Sequence, residues 1–370
     1  MIGLPSPFAE KLLAWYDRAR RDLPWRVPLT SPVTTAPDPY HVLVSEAMLQ
    51  QTQVVTVIPY FERFISHFPT VASLADADEQ QVLRLWQGLG YYSRARNLRK
   101  AAQAIIRDHG GQLPTERVDL LKLPGVGRYT AGAIASIAFG RRAPILDGNV
   151  ARVLCRIDKV MSDPREKPTV DLLWARAEQI LPHERLGDFN SALMELGATV
   201  CTPRNPQCLI CPVRPHCEAQ AAGVQETIPP PRKAKPTPLE RRWVFCARDP
   251  TGRYLIEQRP ATGRWAGMWQ FVTVPADPKR KPATVARASL GGAPDKLAPL
   301  GQVTHALTHR RYEFDAFACE VPSALAKPLP QRWVTLDELD AFPLPKPHVR
   351  IRRMIVEHRD AEAPTAAGGE

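Results

Sequence analysis

No stretch of this 370-residue chain stays apolar for long enough to cross a bilayer, and its N-terminus, MIGLPSPFAEKLL, has no secretory signal pattern. Both absences argue for a cytosolic protein with no membrane partner. They also decide how cysteine is read, because without a secretory route a cysteine cluster points to metal rather than to disulfides. Strands are a third absence: before Cys201 no segment alternates apolar and polar residues convincingly, so the first half is expected to be helical throughout. Acidic excess is missing as well. The net charge is +11, with 44% hydrophobic and 24% charged residues, which suits a soluble chain with a polyanionic partner such as nucleic acid. Residues 1–224 carry +4 (26 Lys and Arg against 22 Asp and Glu) and residues 225–370 carry +7 (23 against 16), so the C-terminal part is expected to touch the polyanion too.

What is present is organised around LKLPGVGRYTAGAIASIAFGRRAPILDGN, Leu121 to Asn149. A Pro-Gly-Val-Gly turn (Pro124–Gly127) joins two helical runs, the second being Thr130 to Phe139, and Asp147 follows. Gly125 and Gly127 allow a sharp turn and close backbone approach, and the amides of Gly125, Val126 and Gly127 at a helix start form a nest for a phosphate. A helix–hairpin–helix that grips a DNA phosphate, with an acid just beyond it, reads as chemistry at the DNA backbone. Upstream, Tyr40 to Thr52 is helical and sets Glu46 among Val42, Leu43, Ala47 and Leu49. Apolar neighbours should raise the pKa of Glu46, whereas Asp147 beside Asn149 should stay ionised. That pairing suits N-glycosidic cleavage, which needs an acid for the leaving base and an anion for an oxocarbenium-like sugar. Elsewhere in this half, Asp76 and Glu79 form a D-x-x-E capping box, and helices are expected over Val150–Asp158, Val170–Leu181 and Phe189–Val200.

Cys201, Cys208, Cys211 and Cys217 follow in the spacing C-x6-C-x2-C-x5-C, a metal site for which zinc and an iron–sulfur cluster are both chemically open. Residues 225–238, QETIPPPRKAKPTP, read as a stiff extended linker between a 1–224 domain and a 239–360 domain. In the latter, strands are expected at Arg242–Arg248, Tyr254–Gln258, Trp269–Val274 and Tyr312–Val321, and helices at Ala283–Leu290 and His348–His358: an α+β domain. Residues 361–370 are expected to be a disordered tail.

These motifs resemble the adenine DNA glycosylases of the MutY family over nearly the whole chain. The resemblance is carried by LPW (Leu23–Trp25), SEAMLQQTQV (Ser45–Val54), VIPYFERF (Val57–Phe64), GLGYYSRARNL (Gly88–Leu98), LPGVGRYTAGAI (Leu123–Ile134), ILDGNV (Ile145–Val150) and the cysteine loop. It implies an all-α helix–hairpin–helix glycosylase domain with a 4Fe–4S loop, followed by an α+β Nudix-like domain. It further implies a monomeric enzyme that removes adenine opposite 8-oxoguanine or guanine in double-stranded DNA. Glu46 then protonates adenine and later activates water. Asp147 stabilises the sugar cation, Tyr129 and Asn149 flank the reaction centre, and Gln51 and Tyr91 wedge into the stack beside the lesion. Endonuclease III has a Schiff-base lysine where this chain has Tyr129, so base removal without strand cutting is implied.

RPATGRWAGMWQF (Arg259–Phe271) is similar to the family's 8-oxoguanine-recognition domain, but Pro275 to Pro294 holds no glutamate, so the Mg²⁺-binding Nudix box is missing. The family's Phe-Ser-His lesion motif stands here as Leu307-Thr308-His309, which keeps a hydroxyl and loses a ring. Two rivals remain. One is a thymine glycosylase acting on G·T mispairs, which the Nudix-like domain disfavours. The other is a damage-scanning or redox-sensing protein that does not cleave, which intact Glu46 and Asp147 disfavour.

Overall fold

The computed structural model describes residues 6–28, 30–31, 36–231, 236–292, 294, 296–307, 309–321 and 330–362. Two compact units emerge: Met1–Ala77 with Arg96–Lys233, and Asp78–Ala95 with Ala234–Glu370. Among the described residues no helix is long and apolar enough to cross a membrane.

The first half is a succession of helices. They are α1 (Pro7–Ala19), α2 (Pro39–Leu49), α3 (Val54–His67), α4 (Val71–Asp76), α5 (Glu79–Leu85), α6 (Ser93–His109), α7 (Arg117–Leu120), α8 (Arg128–Ala133), α9 (Gly148–Ile157), α10 (Lys167–Gln179), α11 (Leu186–Thr199) and α12 (Glu218–Ala221). Their starts follow local chemistry. Ser6 caps α1 by accepting from the Ala9 amide at 3.3 Å, and Asp38 caps α2 by accepting from the Tyr40 amide at 2.7 Å, each ahead of a proline at the first helical position. The expected Asp76–Glu79 box is not formed. Asp76 closes α4, and Asp78, two residues later, caps α5 by accepting from the Gln80 amide at 2.9 Å. The reciprocal box lies instead at Thr70 and Ser73.

In the first unit, α1, α9 and α11 bury Leu12, Tyr16, Val153, Leu154, Phe189 and Leu193 in one core. The expected Thr130–Phe139 helix starts earlier and changes pitch: α8 passes into a π-helical turn, Ile134–Ala138. There Ser136 Oγ donates to the Gly132 carbonyl and receives Asn190 Nδ2, both at 2.8 Å. Such turns add a residue to a helix and recur at functional sites. The proline-rich stretch does not begin as an extended linker. Ile228 is 1% exposed within the α1–α9–α11 core, and its carbonyl accepts from Arg156 Nε at 2.8 Å.

The second unit is built on a six-stranded sheet. Its strands are β1 (Leu239–Arg248), β2 (Tyr254–Gln258), β3 (Trp269–Pro275), β4 (Leu297–Leu307), β5 (Arg310–Glu320) and β6 (Gln331–Val334), in the order β4-β5-β1-β3-β2-β6. Only β1–β5 is parallel among these pairings. The central run Trp243–Ala247 is apolar on consecutive residues because both faces of β1 are covered. Val244 and Cys246 join Phe271, Phe314 and Ile351 on the side of α14 (Lys346–Glu362). Trp243, Phe245 and Ala247 join Val272 and Ala286 on the side of α13 (Pro282–Leu290). The four expected strands are present, and β4 and β6 are additional. β4 and β5 form a hairpin in which Leu307 faces Arg310. The tail expected at 361–370 lies outside the described residues beyond Glu362.

Candidate active site

A cleft of about 720 Å³ opens in the first unit, and Glu46, Tyr129, Asp147 and Asn149 all line it. α2 supplies Glu46. This helix is buried nearly all round, through Tyr40, Val42, Leu43, Val44 and Met48, so its one carboxylate is only 5% exposed. Burial raises the Glu46 pKa to about 7; the Tyr129 phenol, which hydrogen-bonds to it, pulls the other way, Asp147 pushes it up further, and Arg26 lowers it. Glu46 Oε2 has no hydrogen-bond partner among the described residues. The Tyr129 oxygen also lies 3.1 Å from Met194 Sδ.

Asp147 stands at the start of α9 as its N-cap. One oxygen accepts from the Val150 amide at 2.7 Å, and the other accepts from Asn149 Nδ2 at 3.2 Å. Burial pushes its pKa up, opposed by those amides, by Arg152 and by the Asn149 side chain. The helix N-terminus adds a positive field that favours the anion. The Asn149 side chain is fixed in turn by Arg152, whose Nη2 donates to Asn149 Oδ1 at 2.8 Å and to the Gly197 carbonyl at 2.7 Å. α9 and α11 can come this close only because residue 197 has no side chain: a Cβ there would sit 2.7 Å from Asn149 Cβ.

Another wall of the cleft was missed in the sequence. Glu195 has a fully buried side chain and receives Arg21 through Nε at 2.6 Å, Nη2 at 3.1 Å and the backbone amide at 3.1 Å, with Arg26 Nη2 at 2.8 Å. Burial alone would raise the Glu195 carboxyl, but the two guanidinium groups outweigh it and hold it below its usual range. The available signal was that Arg21 and Arg26 bracket the LPW motif; nothing nearby in sequence pointed to a partner at 195.

Arg152 also reaches the cysteine loop, donating from Nε to the Cys201 carbonyl at 2.9 Å. One turn on, Arg156 is 2% exposed and donates to Cys201 Sγ (3.3 Å), Thr202 O (2.7 Å), Pro203 O (3.3 Å) and Ile228 O. Burial, and repulsion among the four sulfurs, raise the thiols of Cys208, Cys211 and Cys217, Cys211 to about 11. Four thiols in one loop, with an Arg156 N–H donor on the Cys201 sulfur, are a donor set that fits a 4Fe–4S cluster.

The remaining candidates divide between the units. Gln51 is exposed at the cleft with a left-handed backbone, φ 58°. Gly125 has φ 79°, and a Cβ would meet Asn97 Cβ at 2.7 Å, so glycine is required there. The Val126 amide is already taken by the Leu123 carbonyl at 3.1 Å, whereas the Gly125 and Gly127 amides donate to no acceptor among the described residues. Tyr91, 44% exposed with φ 46°, lies in the second unit. So do Leu307, at the end of β4, and exposed His309; Thr308 lies outside the described residues.

Comparison with known proteins matches three stretches of the chain. Residues 44–179 match the HhH-GPD superfamily of base excision DNA repair proteins, residues 201–217 the iron-sulfur binding domain of endonuclease III, and residues 243–354 the NUDIX domain. All four cysteines of the loop fall within the iron–sulfur match. The chain is 37% identical to the adenine DNA glycosylase of Homo sapiens, covering 90% of this chain and 71% of that one. It is 40% identical to the adenine DNA glycosylase of Buchnera aphidicola subsp. Acyrthosiphon pisum, covering 67% and 69%. A solved thermostable thymine-DNA glycosylase aligns at 29% identity and a TM-score of 0.50, over 58% of this chain and 95% of that one. Identity at that level over most of both chains settles the family: this chain is a member of the adenine DNA glycosylases.

Proposed function

We propose that this enzyme removes adenine opposite 8-oxoguanine, or opposite guanine, from duplex DNA and leaves the strand intact. The observation that carries the chemistry is a buried carboxyl, Glu46, lining the same cleft as the carboxylate of Asp147 that caps α9. Glu46 donates its proton to the flipped adenine at N7. The C1′–N9 bond then breaks with its electron pair leaving on the base. Asp147 meets the positive charge that develops at C1′, as an ion pair or by transient bond formation. The Glu46 carboxylate left behind takes a proton from water as that water's oxygen bonds to C1′, which restores the acid. Tyr129 offers a phenol where imine chemistry would need an amine, so no sugar–enzyme Schiff base forms.

Gln51 and Tyr91 occupy left-handed tips suited to wedging into a base stack, and the Gly125 and Gly127 amides suit a backbone phosphate. Leu307–His309 reads the base opposite adenine. Cys201, Cys208, Cys211 and Cys217 would hold a 4Fe–4S cluster, which when bound supplies a redox-capable centre behind α9. The protein acts as a monomer on cytoplasmic DNA.

The test is single-turnover excision on duplexes with A opposite 8-oxoguanine, A opposite guanine and T opposite guanine. Activity should rank in that order, with strand breaks appearing only after alkali. Preference for T opposite guanine would replace this reading with a thymine glycosylase. Breaks at neutral pH that track base release would show a lysine acting as nucleophile.

A further inference from the structure

Asp78–Ala95 packs in the second unit, although it is synthesised between two segments of the first. Two glutamines make the attachment. The Gln80 amide donates from Nε2 to the Gly267 carbonyl at 3.1 Å and accepts Trp269 Nε1 at Oε1, 3.2 Å. One end faces a pure acceptor and the other a pure donor, so only one amide orientation satisfies both. Gln87 Oε1 accepts from the Leu344 amide at 3.0 Å. Trp269 is itself held, 5% exposed and edge-on to Phe342 at 5.2 Å.

Beyond this clasp the chain is tied down residue by residue. Trp86 Nε1 donates to the Gly90 carbonyl at 3.1 Å, and Tyr92 Oη accepts from the Gly88 amide at 3.2 Å. Buried Arg94 donates to the carbonyls of Leu89 and Gly90 at 3.3 and 3.1 Å. Leu89 and Tyr92 are buried, and between them Tyr91 projects on a left-handed backbone. Such a backbone in a non-glycine residue is held only where its surroundings over-determine it.

We propose that Gln80 and Gln87 are positioning residues for base extrusion. They seat the Tyr91 tip on the sheet unit that carries Leu307 and His309, so that wedge and opposite-base reader belong to one unit. This rests on the reading of Tyr91 as a wedge. The test uses the full-length, cluster-loaded protein. Two substrates are compared in single turnover: A paired with 8-oxoguanine, and A opposite an abasic site, where little pairing must be broken. Fluorescence of 2-aminopurine in place of adenine reports extrusion directly.

Gln80→Ala combined with Gln87→Ala should slow the paired substrate on the order of tenfold and cut the fluorescence rise, while leaving the unpaired substrate near the wild-type rate. Gln87→Ala alone gives a milder version should the double variant fold poorly. Equal slowing of both substrates, or an unchanged ratio and fluorescence, would overturn the proposal. Tyr91→Ala separates the two readings. If it impairs extrusion and the glutamine variants do not, the clasp fails alone; if it too leaves extrusion intact, the wedge and the clasp fall together.

Discussion

Glu46 is buried and, on the proposed mechanism, must also serve as an acid, and both have consequences that can be measured. Its carboxyl is raised to about 7 from an ordinary 4.5 by burial first. On the proposed mechanism the protonated form is the acid, so excision should decline as pH rises through about 7. Glu46→Gln should bind lesion DNA and lose about 10²- to 10⁴-fold in excision, the usual worth of a placed general acid. Its stability should move the other way. Between the unfolded and folded pKa values the unfolded chain has released a proton that the folded one retains, so the native state loses stability as pH rises across that window. Above it, the wild type carries the full cost of a buried charge, at most about 3 kcal/mol for this shift. Glu46→Gln should therefore melt higher than wild type at pH 8, and the gain should vanish below about pH 4.5. A variant no more stable at pH 8 would contradict the buried-acid assignment. Glu46 and Asp147 were legible in the sequence because each sits in its own short signature, an acid inside an apolar helix or an acid at a helix start. Glu195 was not, since its partners Arg21 and Arg26 lie 174 and 169 residues away.

Elements show the same division between local and distant information. β1 and β3 announce themselves as apolar runs because they are central and covered on both faces. β4 hid because it is an edge strand, broken by Pro299 and Gly301 at a bulge and exposed along much of its length. β6 is four residues long, too short to set up an alternation. The cysteine loop was legible from spacing alone, but its support was not: Arg156 reads as an ordinary charged residue of an amphipathic helix. In the structure it is the post on which residues 201–203 and Ile228 hang. Purified protein should carry about four irons per chain. Arg156→Met removes every one of those donors and strands the carbonyl of buried Ile228, at a cost of about 1–3 kcal/mol. That variant should lose iron and visible absorbance together and melt lower; full iron occupancy at an unchanged melting temperature would show that the loop holds itself.

At the scale of the whole molecule, the boundary between the units does not follow the order of the sequence. Truncation at Lys233 would remove Leu307 and His309 and, with them, the groups that hold Gln80 and Gln87. On the proposed function the shortened protein should not prefer A opposite 8-oxoguanine over A opposite guanine, and should also excise both more slowly. Leu307→Phe in the full chain isolates the first effect, and should sharpen discrimination without changing the rate on saturated substrate. A truncation that kept the full preference would reduce the sheet unit to a general DNA clamp. No pattern within residues 78–95 could have revealed their allegiance, because their hydrogen-bond partners stand 187 to 257 positions downstream. The same separation sets a timetable on the ribosome. At about 5–20 residues per second, α5 leaves the exit tunnel roughly ten to fifty seconds before Gly267 and Leu344 emerge to receive it. Throughout that interval Val82, Leu83 and Leu85 wait on a nascent chain whose flanking helices can already fold. Chains stalled near residue 250 should be cut by protease within 78–95, and released full-length chains should not.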